Sequence, residues 1–184
     1  MIRKLEIAEL NQLYNEHIKQ DFPVNERPPC FIIKKNLNNK LQEGFIYIYE
    51  NEESGYAINS PVGELVLISL FAIFEEQRKK GRGTNFLREL IKYYDSKRTL
   101  IVEVEKPEKA STKEQRIVCE KRILFYESVG FVIYKDIDYK IFGVEMYIMI
   151  YSKTALAQED VIEDVKSVYT QMLGRGFQKM LKIK

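Results

Sequence analysis

The sequence predicts an α/β protein whose central sheet is of mixed direction and flanked by helices. Three observations predict it. First, Val66 to Ile73 is an apolar run of strand length broken only by Ser69, and Phe86, Leu87, Leu90 and Ile91 then recur at helical spacing. Thr99 to Glu105 follows with Leu100, Val102 and Val104 on one face, so residues 64 to 105 read strand, helix, strand, the one crossover that requires parallel neighbours. Second, Gly44 to Tyr49 and Gly55 to Asn59 flank the turn-forming Asn51 to Ser54, which predicts a hairpin. Third, Phe131 to Tyr134 and Met146 to Tyr151 predict a second antiparallel pair.

The other elements follow in chain order. Leu10, Leu13, Tyr14 and Ile18 mark an amphipathic helix over Ala8 to Gln20, ended near Pro23, because proline disfavours helical geometry in the residue before it. Asp21 to Pro29 is the one proline-dense loop, stiff rather than floppy. Phe31 to Lys40 reads as a short helix, Pro61 to Gly63 as a turn, and Lys113 to Ser128 as a helix carrying Ile117, Ile123, Leu124 and Tyr126. The stripe of Val161, Ile162, Val165, Val168, Tyr169 and Met172 predicts an added helix from Ala155 to Leu173, which either packs across the sheet or forms a homodimer contact. The tail from Arg175 to Lys184, with four cations and no acid, reads as solvated. The Phe45, Tyr47 and Tyr49 stripe reads as strand packing, and His17, the single histidine, as an edge residue of its helix.

Composition bounds the function. The chain has 184 residues, 45% hydrophobic and 30% charged, enough for one globular domain with a real core. Residues 1–151 form the expected main body of that domain and 152–184 its helical extension. Net charge is +2, from 29 basic and 27 acidic residues, so no global field favours nucleic acid or a membrane surface. Cys30 and Cys119 are too few for a disulfide framework, and no export or membrane-spanning segment is visible, which points to the cytoplasm. No metal-ligand cluster is expected.

Chemistry concentrates in the loop before the helix of the crossover. Arg78, Lys79, Lys80, Gly81, Arg82, Gly83 and Thr84 place four cations and two glycines where that helix begins. The first backbone N–H groups of a helix have no intrahelical partner and lie at the positive end of its dipole; glycine lacks the Cβ that would hold an anion away. Such a loop suits a pyrophosphate. The Walker A lysine and hydroxyl are missing, which disfavours a nucleotide-binding protein, and no acidic residue completes a dinucleotide fingerprint.

With Ile73 eight residues before Gly81, this R-x-x-G-x-G segment resembles the acetyl-CoA loop of the Gcn5-related N-acetyltransferase (GNAT) family. Phe125-Tyr126-Glu127-Ser128-Val129-Gly130-Phe131 is similar to that family's F-Y-x-x-x-G-F helix end. The resemblance spans roughly Leu65 to Tyr151 and implies a mixed, mostly antiparallel sheet. It also implies acetyl transfer from acetyl-CoA to a primary amine by direct attack in a ternary complex. By position, Phe71, Ala72 and Ile73 would pair with the pantetheine arm, Arg78 to Thr84 would hold the phosphates, and Tyr126 would protonate the leaving thiolate.

The general base is less directly marked. The glutamate that histone-type members carry on the coenzyme strand corresponds here to Leu67. Glu103, Glu105 and Glu64 are the candidates; Glu103 is chosen, because a strand carboxylate flanked by valines and partly desolvated has a raised pKa. At the position where many members have asparagine, seven residues before the tyrosine, the chain has Cys119, expected to be a buried apolar residue. Phe22, Glu26 and Arg27 either belong to a plain connector or line the acceptor pocket. A catalytically silent acyl-CoA-binding regulatory module on the same fold is the alternative to an enzyme.

Overall fold

The computed structural model describes residues 1–24, 26–94, 99–154, 156–174, 176 and 181–184. Eight strands are hydrogen-bonded in the order β1-β2-β3-β4-β5-β7-β6-β8. They are β1 (Ile2–Lys4), β2 (Glu43–Tyr49), β3 (Glu52–Val62), β4 (Leu65–Ile73), β5 (Thr99–Glu105), β6 (Val132–Ile141), β7 (Val144–Tyr151) and β8 (Leu181–Ile183). The helices are α1 (Leu10–Leu13), continued by a π turn (Tyr14–Ile18) and α2 (Lys19–Asp21), then α3 (Cys30–Asn38), α4 (Arg82–Tyr93), α5 (Lys113–Glu127) and α6 (Gln158–Leu173). Two compact units divide the chain: Met1–Pro61 with Ile68–Tyr94, and Val62–Leu67 with Asp95–Lys184. The cut falls inside β4.

In the first unit β1 and β3 flank β2 in antiparallel ladders, with Phe45 opposite Lys4 on one side and Ala57 on the other. Glu50 and Asn51 both take positive φ, 50° and 65°, and close the β2–β3 hairpin as a two-residue turn whose twist matches the strands. The expected turn over Asn51 to Ser54 is thus displaced, since Glu52 already opens β3. One core, of Leu10, Leu13, Ile18, Ile33, Ile46, Tyr56, Ile58, Leu70 and Phe74, is built by the N-terminal helices, β2, β3 and the end of β4. A second layer is aromatic: Tyr47 stacks on Phe86 of α4 at 4.9 Å and Phe71 on the same ring at 4.9 Å. The tyrosine stripe is therefore strand packing.

In the second unit β5 lies between the start of β4 and β7. Its start pairs in parallel with the start of β4, Leu65–Thr99 to Leu67–Ile101, and Leu100 to Glu105 pair antiparallel with β7. β6 pairs with β7, with a register shift between Tyr134 and Tyr139, and β8 closes on the far half of β6, Tyr139 facing Ile183. α6 lays Val161, Val165, Val168, Tyr169 and Met172 onto Leu65, Leu67, Ile101, Ile137, Tyr139, Ile148 and Ile150. Of the two expectations for this helix, packing across the sheet is the one observed. Thr112 caps α5 by accepting from the Gln115 N–H at 3.1 Å.

The end of the chain departs from the solvated tail expected of it: Ile183 is buried in the α6 core and Leu181–Ile183 is a strand. Asn25, Ala155, Arg175 and residues 177–180 of the tail lie outside the described residues. Among the described residues no helix is long and apolar enough to cross a membrane, and no group of three histidine, cysteine or carboxylate side chains could hold a metal ion.

Candidate active site

β4 ends at Ile73, and a short 3-10 turn, Glu75–Gln77, carries the chain to the basic loop. Lys79 and Gly81 both adopt left-handed φ, 64° and 70°, and Gly81 is the N-cap of α4. The helix therefore starts at Arg82, so that Gly83 and Thr84 lie in its first turn with backbone N–H groups that lack intrahelical partners. A Cβ built at Gly81 meets nothing within 4 Å, so the surface before the helix is open for an approaching group. This cradle fits a phosphate.

The four cations of the loop are not equivalent. Arg78 pairs with Asp21, and its Nε donates to the Ile73 carbonyl at 2.8 Å. Lys80 Nζ donates to the Glu76 carbonyl at 3.3 Å. Arg82 is 8% exposed and its guanidinium sits 4.6 Å over the Tyr49 ring, with Nη1 3.5 Å from Ser54 Oγ and a buried Nε that has no partner among the described residues. It is a core side chain rather than a surface one. Lys79 is exposed.

Ala72 is reached closely by a glycine: a Cβ on Gly55 would come within 2.5 Å of the Ala72 carbonyl. The unsubstituted backbone at Gly55 thus lets β3 approach the strand segment Phe71–Ile73. Phe74, directly after it, stacks on His17 of the π turn, ring centroids 3.9 Å apart and 19° between planes. Phe22 packs against the N-terminal core, and Arg27 Nη1 donates to the carbonyls of Lys19 and Phe22, both at 2.6 Å. That pair of bonds caps α2 and shapes the proline-rich loop, in which the Glu26 N–H donates to the Pro23 carbonyl at 3.0 Å. His17 was legible only as an edge residue; its stacking partner has no sequence signal.

In the second unit, Tyr126 sits in the last turn of α5, 7% exposed, against Phe125 at 5.0 Å and Phe131 at 5.4 Å. Burial pushes its phenol up to about 12, with Arg122 acting in the opposite sense. Gly130, at φ 102°, ends the helix beyond it, and the Phe131 N–H returns to the Tyr126 carbonyl at 3.1 Å. The F-Y-x-x-x-G-F pattern is this helix stop.

Glu103 is half-buried on β5 and both of its oxygens are occupied. Tyr139 donates to Oε1, and the Tyr169 hydroxyl lies 2.9 Å from Oε1 and 2.7 Å from Oε2. Burial raises the carboxyl above the ordinary range while the two tyrosine bonds work against that rise. The upward push of burial on this carboxyl has the direction expected from the sequence, but its partners, two tyrosines from β6 and α6, carry no sequence signal. Glu105 faces α5, accepting from Arg122 at 3.1 Å and lying 3.6 Å from Cys119 Sγ. Cys119 is buried, as expected.

Comparison with solved structures gives the class of the fold. A protein from Bacteroides thetaiotaomicron assigned to the GNAT family superposes with a TM-score of 0.78 at 19% identity, over 95% of this chain and 98% of that one. A ribosomal-protein-alanine N-acetyltransferase from Brucella melitensis gives 0.58 at 19% identity over 83% and 99%. A GNAT family acetyltransferase from Elizabethkingia anophelis with acetyl-CoA bound gives 0.56 at 20% over 83% and 97%. No family model matches the sequence, and neither does any curated protein. The chain has the GNAT fold.

Proposed function

We propose that the protein is an acetyl-CoA-dependent N-acetyltransferase acting on a primary amine by direct attack in a ternary complex. The observation that carries this reading is Gly81: a left-handed residue with open space before it, capping α4 eight residues after β4 ends and amid four cations. Solved structures of the same fold with the coenzyme bound support it. Gly81, Gly83 and Thr84 offer backbone N–H groups to the pyrophosphate, and Arg78, Lys79, Lys80 and Arg82 set the positive field around it. Phe71, Ala72 and Ile73 present strand backbone to the pantetheine arm.

Bound acetyl-CoA supplies the acyl group as a thioester. Tyr126 keeps its proton at neutral pH, because burial holds it near 12, and gives it to the leaving thiolate. Glu103 takes the proton of the attacking amine; its raised pKa suits a base working close to neutrality, and Tyr139 and Tyr169 fix its orientation. Phe22, Glu26 and Arg27 belong to the acceptor side, with Arg27 fixing the loop through the Lys19 and Phe22 carbonyls. A cytoplasmic setting suits the thiols of Cys30 and Cys119.

A silent acyl-CoA-binding module is the second reading, favoured by one observation: both Glu103 oxygens are engaged by tyrosine hydroxyls. Calorimetry with acetyl-CoA, followed by an amine panel read as free thiol release, tests both. Binding with thiol release on an acceptor supports the enzyme, binding without release on any amine class supports the module, and no binding at about millimolar coenzyme sinks both.

A further inference from the structure

Asp21 is the last residue of α2, and its side chain is only 10% exposed. A carboxylate so placed needs donors for both oxygens. It has them from two other elements: Oδ1 pairs with Arg78 Nη2, and Oδ2 accepts from the Tyr56 hydroxyl of β3 at 2.9 Å. Arg78 is itself held a second time, through Nε to the Ile73 carbonyl. Its guanidinium is thereby fixed in plane by two edges, while Nη1 has no partner among the described residues and the side chain is 45% exposed. The next residue, Lys79, is a non-glycine at φ 64°, a conformation that persists only where the surroundings impose it.

We propose that Asp21 is a positioning residue for the phosphate loop: through Arg78 it clamps the segment between Ile73 and Gly81 in the shape that binds a diphosphate. Two opposed effects follow from its charge. A carboxylate near an anion site lowers the local potential, but here that charge is neutralised by the guanidinium it orients. What remains is preorganisation, and losing it costs affinity. Tyr56 serves the same clamp, anchoring the carboxylate from the strand. The inference rests on the coenzyme-binding reading above.

The experiment is a double-mutant cycle read by calorimetric titration with coenzyme A: wild type, Asp21→Asn, Arg78→Gln and the double variant, each checked by thermal melting. Asp21→Asn should weaken coenzyme A about tenfold, the scale of one charged hydrogen bond, and should add nothing in the Arg78→Gln background. Asp21→Glu, which keeps the charge, should recover part of the affinity. If wild type binds no coenzyme A, the coenzyme reading itself fails. If wild type binds and Asp21→Asn binds equally or more tightly, or loses affinity additively with Arg78→Gln, the positioning role is overturned while the coenzyme reading stands. Should Asp21→Asn not fold, Asp21→Glu takes its place in the cycle; if neither folds, Asp21 is scaffold and the proposal is overturned.

Discussion

The Tyr169 hydroxyl of α6 reaches both oxygens of Glu103 on β5, 2.9 Å from one and 2.7 Å from the other. The helix is thus joined to β5 by a polar bond set within an apolar contact of valines and isoleucines. Folding raises the Glu103 pKa, so over the interval between the ordinary carboxylate value and the raised one the folded chain holds a proton that the unfolded chain has lost. Stability should fall as pH rises through that interval and level off above it. Glu103→Gln should flatten this slope in melting curves recorded from about pH 4 to about pH 8, and an unchanged slope would remove Glu103 as its source. In the acetyl-transfer assay the same variant should shift the rate profile toward higher pH.

Tyr126→Phe keeps the ring that packs on Phe125 and Phe131, so the fold and the coenzyme affinity should survive. Loss of the proton donor should lower kcat and kcat/KM together by about 10²–10⁴. Steady-state kinetics on the acceptor found by the amine panel checks it. Full activity would mean that solvent or another group protonates the sulfur.

Gly55→Ala and Gly81→Ala separate steric from torsional cost. At Gly55 the new Cβ would lie 2.5 Å from the Ala72 carbonyl and 2.9 Å from Ile73 Cδ1, so β3 and β4 must shift, at about 1–3 kcal/mol. At Gly81 nothing is in the way, but φ 70° costs an alanine about 1–2 kcal/mol. Denaturant midpoints give the two losses. Only Gly55→Ala should change the chemical shifts of Ala72 and Ile73 amides in the ligand-free protein.

Ile183→Ala should destabilise by about 2–5 kcal/mol, because Ile183 is buried beside Tyr139, its ladder partner. A solvated tail would tolerate the change without effect. Urea denaturation of the full chain decides between them.

The crossover and the two hairpins were legible because period-2 and period-3.6 patterns report burial, and burial is what the sheet and α4 impose. The loop of Gly81 was legible for a different reason: glycine tolerates the left-handed conformation from which α4 starts. What escaped was short or non-local. β1 and β8 each have three residues, too few to show a period, and become strands only by pairing with β2 and β6. The Glu50–Asn51 turn lacks the glycine that usually signals left-handed pairs. At the candidate site the partners escaped the sequence: nothing near Arg78 in sequence points to Asp21, and nothing near Glu103 points to Tyr169.

The π turn from Tyr14 to Ile18 bears on how Asp21 comes to face Arg78. A π turn holds one more residue per loop of backbone than an α-helix, so the chain beyond it is set back in angular phase. Rewinding the same residues as ordinary α-helix, with none removed, would advance everything after them by about 100°, the angle of one helical step. Asp21 would swing off Arg78 and Tyr56, and His17 off Phe74. The widened turn therefore acts as the timing mark of the N-terminal helix, fixing which of its side chains meets the basic loop before α4.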